Sequence, residues 1–208
     1  MTKLEASMES IIKIFHEYSS EDKEGKTLNK KELKKLLENE LPGFLKRNPN
    51  AVDSIIKDLD QNKDDKINFE EFIGFVAGLS NACEKCYELS QKKLKHSADM
   101  ARLDHVITNI VDIFLEYAED EGKKRQLNKE ELKKVLQQEI QSPELKGTIN
   151  ADDIEEAMQM LDKNHDGEVN FREFCRCVSD LAKCHYNKKT GKGGKKGKGK
   201  EQEPEQED

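Results

Sequence analysis

The stretch DKNHDGEVNFRE places oxygen-bearing residues at alternate positions, Asp162, Asn164, Asp166, Glu168 and Asn170, and closes three residues later with Glu173. A calcium ion takes six to eight oxygens, and a loop of this length wraps one when it offers them at positions 1, 3, 5, 7, 9 and 12. Asp162, Asn164 and Asp166 supply side-chain oxygens and Glu168 its backbone carbonyl. Asn170 supplies a side chain or a bridging water, and Glu173 both of its carboxylate oxygens. Gly167 stands where the loop makes a sharp turn at positive φ. About a hundred residues earlier DQNKDDKINFEE repeats the pattern with Asp60, Asn62, Asp64, the carbonyl of Lys66, Asn68 and Glu71. Its departure is Asp65 at the glycine position. Asp enters the left-handed region more readily than most residues, at a cost of about 1 kcal/mol. The first loop is therefore expected to bind calcium less tightly than the second, the alternative being a loop that does not bind at all.

Loops of this kind need helices on both sides, and the chain supplies them twice. Leu4, Met8, Ile11, Ile12 and Phe15 share one helical face, and Leu103, Ile107, Ile110, Val111 and Phe114 repeat it. Second helices carry Leu33, Leu36, Leu37 and Leu41, then Leu132, Val135, Leu136 and Ile140. Pro42-Gly43 and Pro143 end them at hinges, the second hinge being the longer. Third helices (Val52, Ile55, Ile56, Leu59; Ile154, Ala157, Met158, Leu161) lead into the acidic loops. Fourth helices (Phe69, Phe72, Ile73, Phe75, Val76, Leu79; Phe171, Phe174, Cys177, Val178, Leu181) follow them. The chain reads as all-α, with repeats over residues 1–88 and 102–186, a polar linker over 89–101 and a tail over 187–208.

Composition narrows the function. The net charge is -7 over 208 residues, and because the tail is slightly basic the rest is more acidic still. An acidic surface repels nucleic acid and attracts cations. Only the Lys/Gly-rich tail, which ends in EQEPEQED, suits an anionic membrane, glycan or nucleic acid, and its low complexity predicts disorder. The five cysteines form an odd set at the ends of the repeats, which is a poor disulfide framework and points to reduced thiols. MTKLEASMESIIKIFHEY lacks the apolar core of a signal peptide, so the cytoplasm is the expected location, with export by another route left open. No Ser/His/Asp set or phosphate-cradling glycine loop suggests an enzyme.

The loops after Tyr18 and Tyr117 lack the alternating acidic pattern. Yet FHEYSSEDKEGKTLNKKELKKLLENEL and FLEYAEDEGKKRQLNKEELKKVLQQEI match each other closely, and each precedes an acidic loop. In this arrangement the chain resembles two S-100 proteins in tandem, each a four-helix domain pairing a fourteen-residue pseudo-EF-hand with a standard EF-hand. The resemblance implies that the longer loops bind calcium through the carbonyls of Ser19, Asp22, Glu24 and Thr27 with the carboxylate of Glu32, and those of Ala118, Glu121, Lys123 and Gln126 with Glu131. That makes up to four sites, with the loop from Asp162 to Glu173 the tightest. It implies an intramolecular pseudo-dimer: a monomer whose first and fourth helices form the bundle that two S-100 subunits otherwise build. It also implies a calcium sensor that exposes an apolar cleft to amphipathic segments of target proteins. The cleft would be lined by Phe44, Leu45, Val52, Ile55, Ile56, Phe75 and Leu79, and by Leu145, Ile149, Ile154, Met158 and Leu181. A protein that sequesters calcium or a transition metal without binding targets is the alternative. The family's zinc and copper positions are mostly missing: His16 matches one, but Leu115 replaces it in the second repeat and Glu84 stands near another, which argues against those metals.

Overall fold

The computed structural model describes residues 1–19, 26–47, 51–89, 101–118, 126–149 and 154–191. The first half runs α1 (Lys3–Tyr18), β1 (Thr27–Leu28), α2 (Lys30–Glu40), α3 (Pro42–Arg47), α4 (Ala51–Leu59), β2 (Ile67–Asn68) and α5 (Phe69–Leu89). The second repeats it with α6 (Arg102–Tyr117), β3 (Gln126–Leu127), α7 (Lys129–Glu139), α8 (Pro143–Lys146), α9 (Ile154–Leu161), β4 (Val169–Asn170) and α10 (Phe171–Lys189). The all-α reading holds, with only two-residue strands between the loops. Most of the linker, and the tail beyond residue 191, lie outside the described residues.

The helices after the four loops start on one device. Asn29, Asn68, Asn128 and Asn170 each precede a Glu by three residues. In each case the Asn carbonyl oxygen accepts the Glu backbone N–H while the Glu carboxylate accepts that of the Asn. These reciprocal bonds satisfy two N–H groups left open at a helix start and stabilise it by about 1 kcal/mol. They also aim Glu32, Glu71, Glu131 and Glu173 back toward the loops. α10 continues to Lys189, into the segment whose composition changes at Asn187, and turns off where Gly191 takes φ +73°. Lys188 and Lys189 in its last turn suit the negative end of the helix dipole.

The halves share one hydrophobic core. α1 packs on α6 and α5 on α10, with α5 against α6 and α1 against α10 completing a four-helix bundle drawn from both repeats. Leu4, Met8, Ile11, Ile12 and Phe15 are buried, as are Leu103, Ile107, Ile110, Val111 and Phe114. Tyr186 of α10 lies face to face with Phe69 of α5, ring centroids 4.1 Å apart.

Polar bonds repeat across the pair. Glu40 at the end of α2 accepts from Tyr18 OH at 3.1 Å and from Arg102 Nε of the other half at 3.1 Å, while Arg102 Nη1 reaches Glu17 at 2.7 Å. In the counterpart, Glu139 at the end of α7 accepts from Tyr117 OH at 3.2 Å and from the Leu4 backbone N–H of the other half at 3.1 Å. Both glutamates are almost fully buried. A buried charge is costly unless paired, so each ties a second helix to the first helix of the opposite half.

Candidate calcium-binding loops

The two twelve-residue loops share most of their internal hydrogen bonds. In the second, Asp162 accepts the backbone N–H of Asp166 at 3.2 Å and of Gly167 at 2.9 Å, Asn164 Oδ1 accepts that of Asp166 at 3.0 Å, and Asp166 Oδ1 that of Glu168 at 3.0 Å. In the first, Asp60 accepts from Asp64 at 3.1 Å and Asp65 at 2.8 Å, Asn62 Oδ1 from Asp64 at 3.0 Å, and Asp64 Oδ1 from Lys66 at 2.9 Å. The closing glutamates match too: Glu173 accepts from Lys163 at 2.9 Å and Glu71 from Gln61 at 3.0 Å. Short bridges lock the loops to their neighbours, Leu28 opposite Ile67 and Leu127 opposite Val169.

Asp65 makes the glycine-type turn. Its φ is 57° where Gly167 has 85°, and its N–H finds Asp60 as that of Gly167 finds Asp162. A Cβ at Gly167 would meet nothing within 4 Å, so the difference between the loops at this position is backbone strain and charge, not crowding. The fourth position is left-handed as well, at Lys63 (φ 60°) and His165 (φ 59°), a feature the sequence pattern does not announce. Asp65→Gly is expected to tighten the first loop about fivefold by relieving about 1 kcal/mol of strain. Calcium calorimetry on the variant checks this; a fall in affinity would mean that the lost negative charge outweighs the strain.

The donor set suits calcium. The side chains facing each other across the loops are Asp, Asn and Glu, hard oxygen ligands without thiol or imidazole, and each carboxylate has lone-pair positions beyond the backbone bonds it accepts. Among the described residues no three His, Cys, Asp or Glu side chains stand close enough to enclose a metal.

Of the longer loops the structure describes the ends. Ser19 and Ala118 are buried just beyond α1 and α6, where their N–H groups bond the carbonyls of Phe15 and Phe114. Thr27 and Gln126 lie in β1 and β3, and Glu32 and Glu131 are held by the capping bonds. Asp22, Glu24, Glu121 and Lys123 lie outside the described residues. Gln126 has a role that its expected backbone contribution did not include. Its Nε2 donates to Asp166 Oδ2 at 2.9 Å, joining the two loops of the second half, and among the described residues its buried Oε1 has no partner. His16 stacks on Tyr186 with centroids 5.3 Å apart. Burial pushes the Cys177 thiol up to about 12, keeping it protonated and inert.

The amino-acid sequences of the two repeats match known protein families. The family described as S-100/ICaBP type calcium binding domain matches residues 4–48 and again 103–142, and the EF hand domain matches residues 153–181. Chicken (Gallus gallus) Protein S100-A10 is 39% identical over 94 residues, covering 94% of that protein but 44% of this chain. The rat (Rattus norvegicus) and mouse (Mus musculus) proteins of the same name are each 40% identical, covering 98% and 94% of their own lengths. The chain belongs to the S-100 family. A whole S-100 protein spans less than half of it, and the family's match falls at two places, so this is a tandem S-100 chain. The loop from Asp162 to Glu173 lies within the EF hand match, and the chain is a calcium-binding protein.

Proposed function

We propose that this tandem S-100 chain is a calcium sensor in which calcium at the EF-hands widens an apolar cleft that then grips an amphipathic segment of a target protein. The observation that carries this reading is the first half's half-covered apolar surface. Phe44 and Leu45 of α3, Ile56 and Leu59 of α4, and Leu79 of α5 pack against the core yet stay partly exposed. Val52, Ile55 and Phe75, also expected in the cleft, are buried behind them. An apolar face of this kind between a hinge and two helices is suited to an amphipathic helix. Calcium gathered by Asp60, Asp64 and Glu71 would act on α4 and α5, the helices on either side of that loop.

The pair works as a monomer, each half supplying the other's partner surface, and calcium rather than zinc or copper is its metal. It acts in the cytoplasm, and the described residues include no helix long and apolar enough to cross a membrane. A phenyl-bearing resin tests the reading. The intact chain is expected to be retained in calcium and released by a chelator. Calcium binding by calorimetry without such retention would instead favour sequestration of calcium without targets.

A further inference from the structure

The two hinges are held differently. In the second, Oε1 of Glu5, from the first half's α1, accepts the backbone N–H groups of Gln141 at 2.9 Å and Ser142 at 2.7 Å. Burial pushes the Glu5 carboxyl up, but the N–H groups of Ser142, Gln141 and Thr2 outweigh it and hold the group below the ordinary carboxylate value. Ser142 in turn caps α8, its hydroxyl accepting the Leu145 N–H at 3.3 Å. From the other side the last turns of α10 close over α8. Lys188 Nζ donates to the Glu144 carbonyl, and Cys184 Sγ lies 3.0 Å from Thr148 Oγ1. His185 stands between Glu9 (Nε2 to Oε2, 3.2 Å) and Glu144 (Nδ1 to Oε2, 3.8 Å), and Lys189 pairs with Glu9.

The first hinge lacks the means to copy the pair of bonds to Glu5. By repeat spacing Pro42 occupies the place of Gln141, and proline has no N–H to donate. Asp104, at the place of Glu5, is one methylene shorter, and among the described residues no hydrogen bond joins it to Leu41, Pro42 or Gly43. Exposure follows the bonding: Leu145 and Ile149 of the second hinge are 2% and 3% exposed, whereas Phe44 and Leu45 of the first stay partly open.

We propose that Glu5 and the end of α10 form a strap that holds the second cleft shut, so that the two S-100 halves open unequally and the first half meets a target alone until the strap is released. This rests on the target-binding reading above, but the strap itself is testable without any target. Hydrogen exchange is measured on the full calcium-loaded chain and on Glu5→Ala, Lys188→Ala and Asp104→Ala. Losing a hydrogen bond to a charged group is expected to speed exchange across 141–149 roughly tenfold in Glu5→Ala and by a smaller factor in Lys188→Ala. Protection in α1 and α6 should persist, and Asp104→Ala should leave 42–47 unchanged. Unchanged exchange at 141–149 in both strap variants, or an equal response of the first hinge to Asp104→Ala, would overturn the proposal. Should Glu5→Ala lose protection throughout the chain, Lys188→Ala decides the matter by the same criterion. If the wild-type chain fails to bind the phenyl resin while the strap variants still free the second hinge, the sensor reading fails and the strap stands.

Discussion

Glu173→Gln removes the tightest step of a calcium titration, weakening that site by about a hundredfold or more, while Glu71→Gln removes a weaker step. The expectation follows from the two loops' shared architecture. Glu173 and Glu71 each accept from the start of the loop and from the Asn that caps the following helix, so each glutamate can clamp a cation held by the loop's first residues. A glutamine keeps one acceptor oxygen, so the helix start survives in large part. The charge and the second oxygen on the metal do not. Loss of an outer partner already costs roughly 10–100-fold in metal affinity, and a direct ligand costs more. What ranks the loops is Asp65, held at φ 57° where Gly167 sits without strain. Calorimetry of both variants checks this, and equal losses or a larger effect from Glu71→Gln would contradict the ranking.

Either half made alone, residues 1–89 or 101–208, is expected to self-associate or to melt far below the intact chain. Each would expose an α1 or α6 face with five large apolar side chains that are all but fully buried in the intact molecule. Covering each such side chain is worth about 1.5–3 kcal/mol. Even if only half of that burial is against the other repeat, the loss approaches the roughly 5–15 kcal/mol by which whole domains are stable. It also strips partners from Glu40, which would lose Arg102, and Glu139, which would lose the Leu4 N–H. Thermal melting of the halves at several concentrations checks this: a melting temperature that rises with concentration marks self-association, and stable monomeric halves would contradict it.

The fold was legible because its signals are periodic and occur twice. The faces from Leu4 to Phe15 and from Leu103 to Phe114 predict the helices and their burial, and Leu127 opposite Val169 follows from loop position. The order of oxygens from Asp162 to Glu173 likewise marks that loop without any contact information. Less visible were features that depend on neighbours distant in sequence. Nothing local to Glu5 says that its carboxylate will meet Gln141 and Ser142, or that Glu40 will be buried against Arg102. The positive φ of Lys63 and His165 is imposed by loop closure, since neither residue type favours it as glycine does. The Asn-x-x-Glu boxes were in the sequence at all four loops, and their spacing could have identified the helix starts. The strap is half legible: Pro42 against Gln141 shows which hinge can donate, but only the fold shows to what.

Sedimentation of the intact chain, with and without calcium, tests most directly that the two S-100 repeats pair within one molecule. The structure predicts a species near the chain's own 23.9 kDa in both conditions, compact because α1 with α6 and α5 with α10 already satisfy each other. A tight dimer of intact chains, accompanied by isolated halves that remain stable monomers, would contradict it.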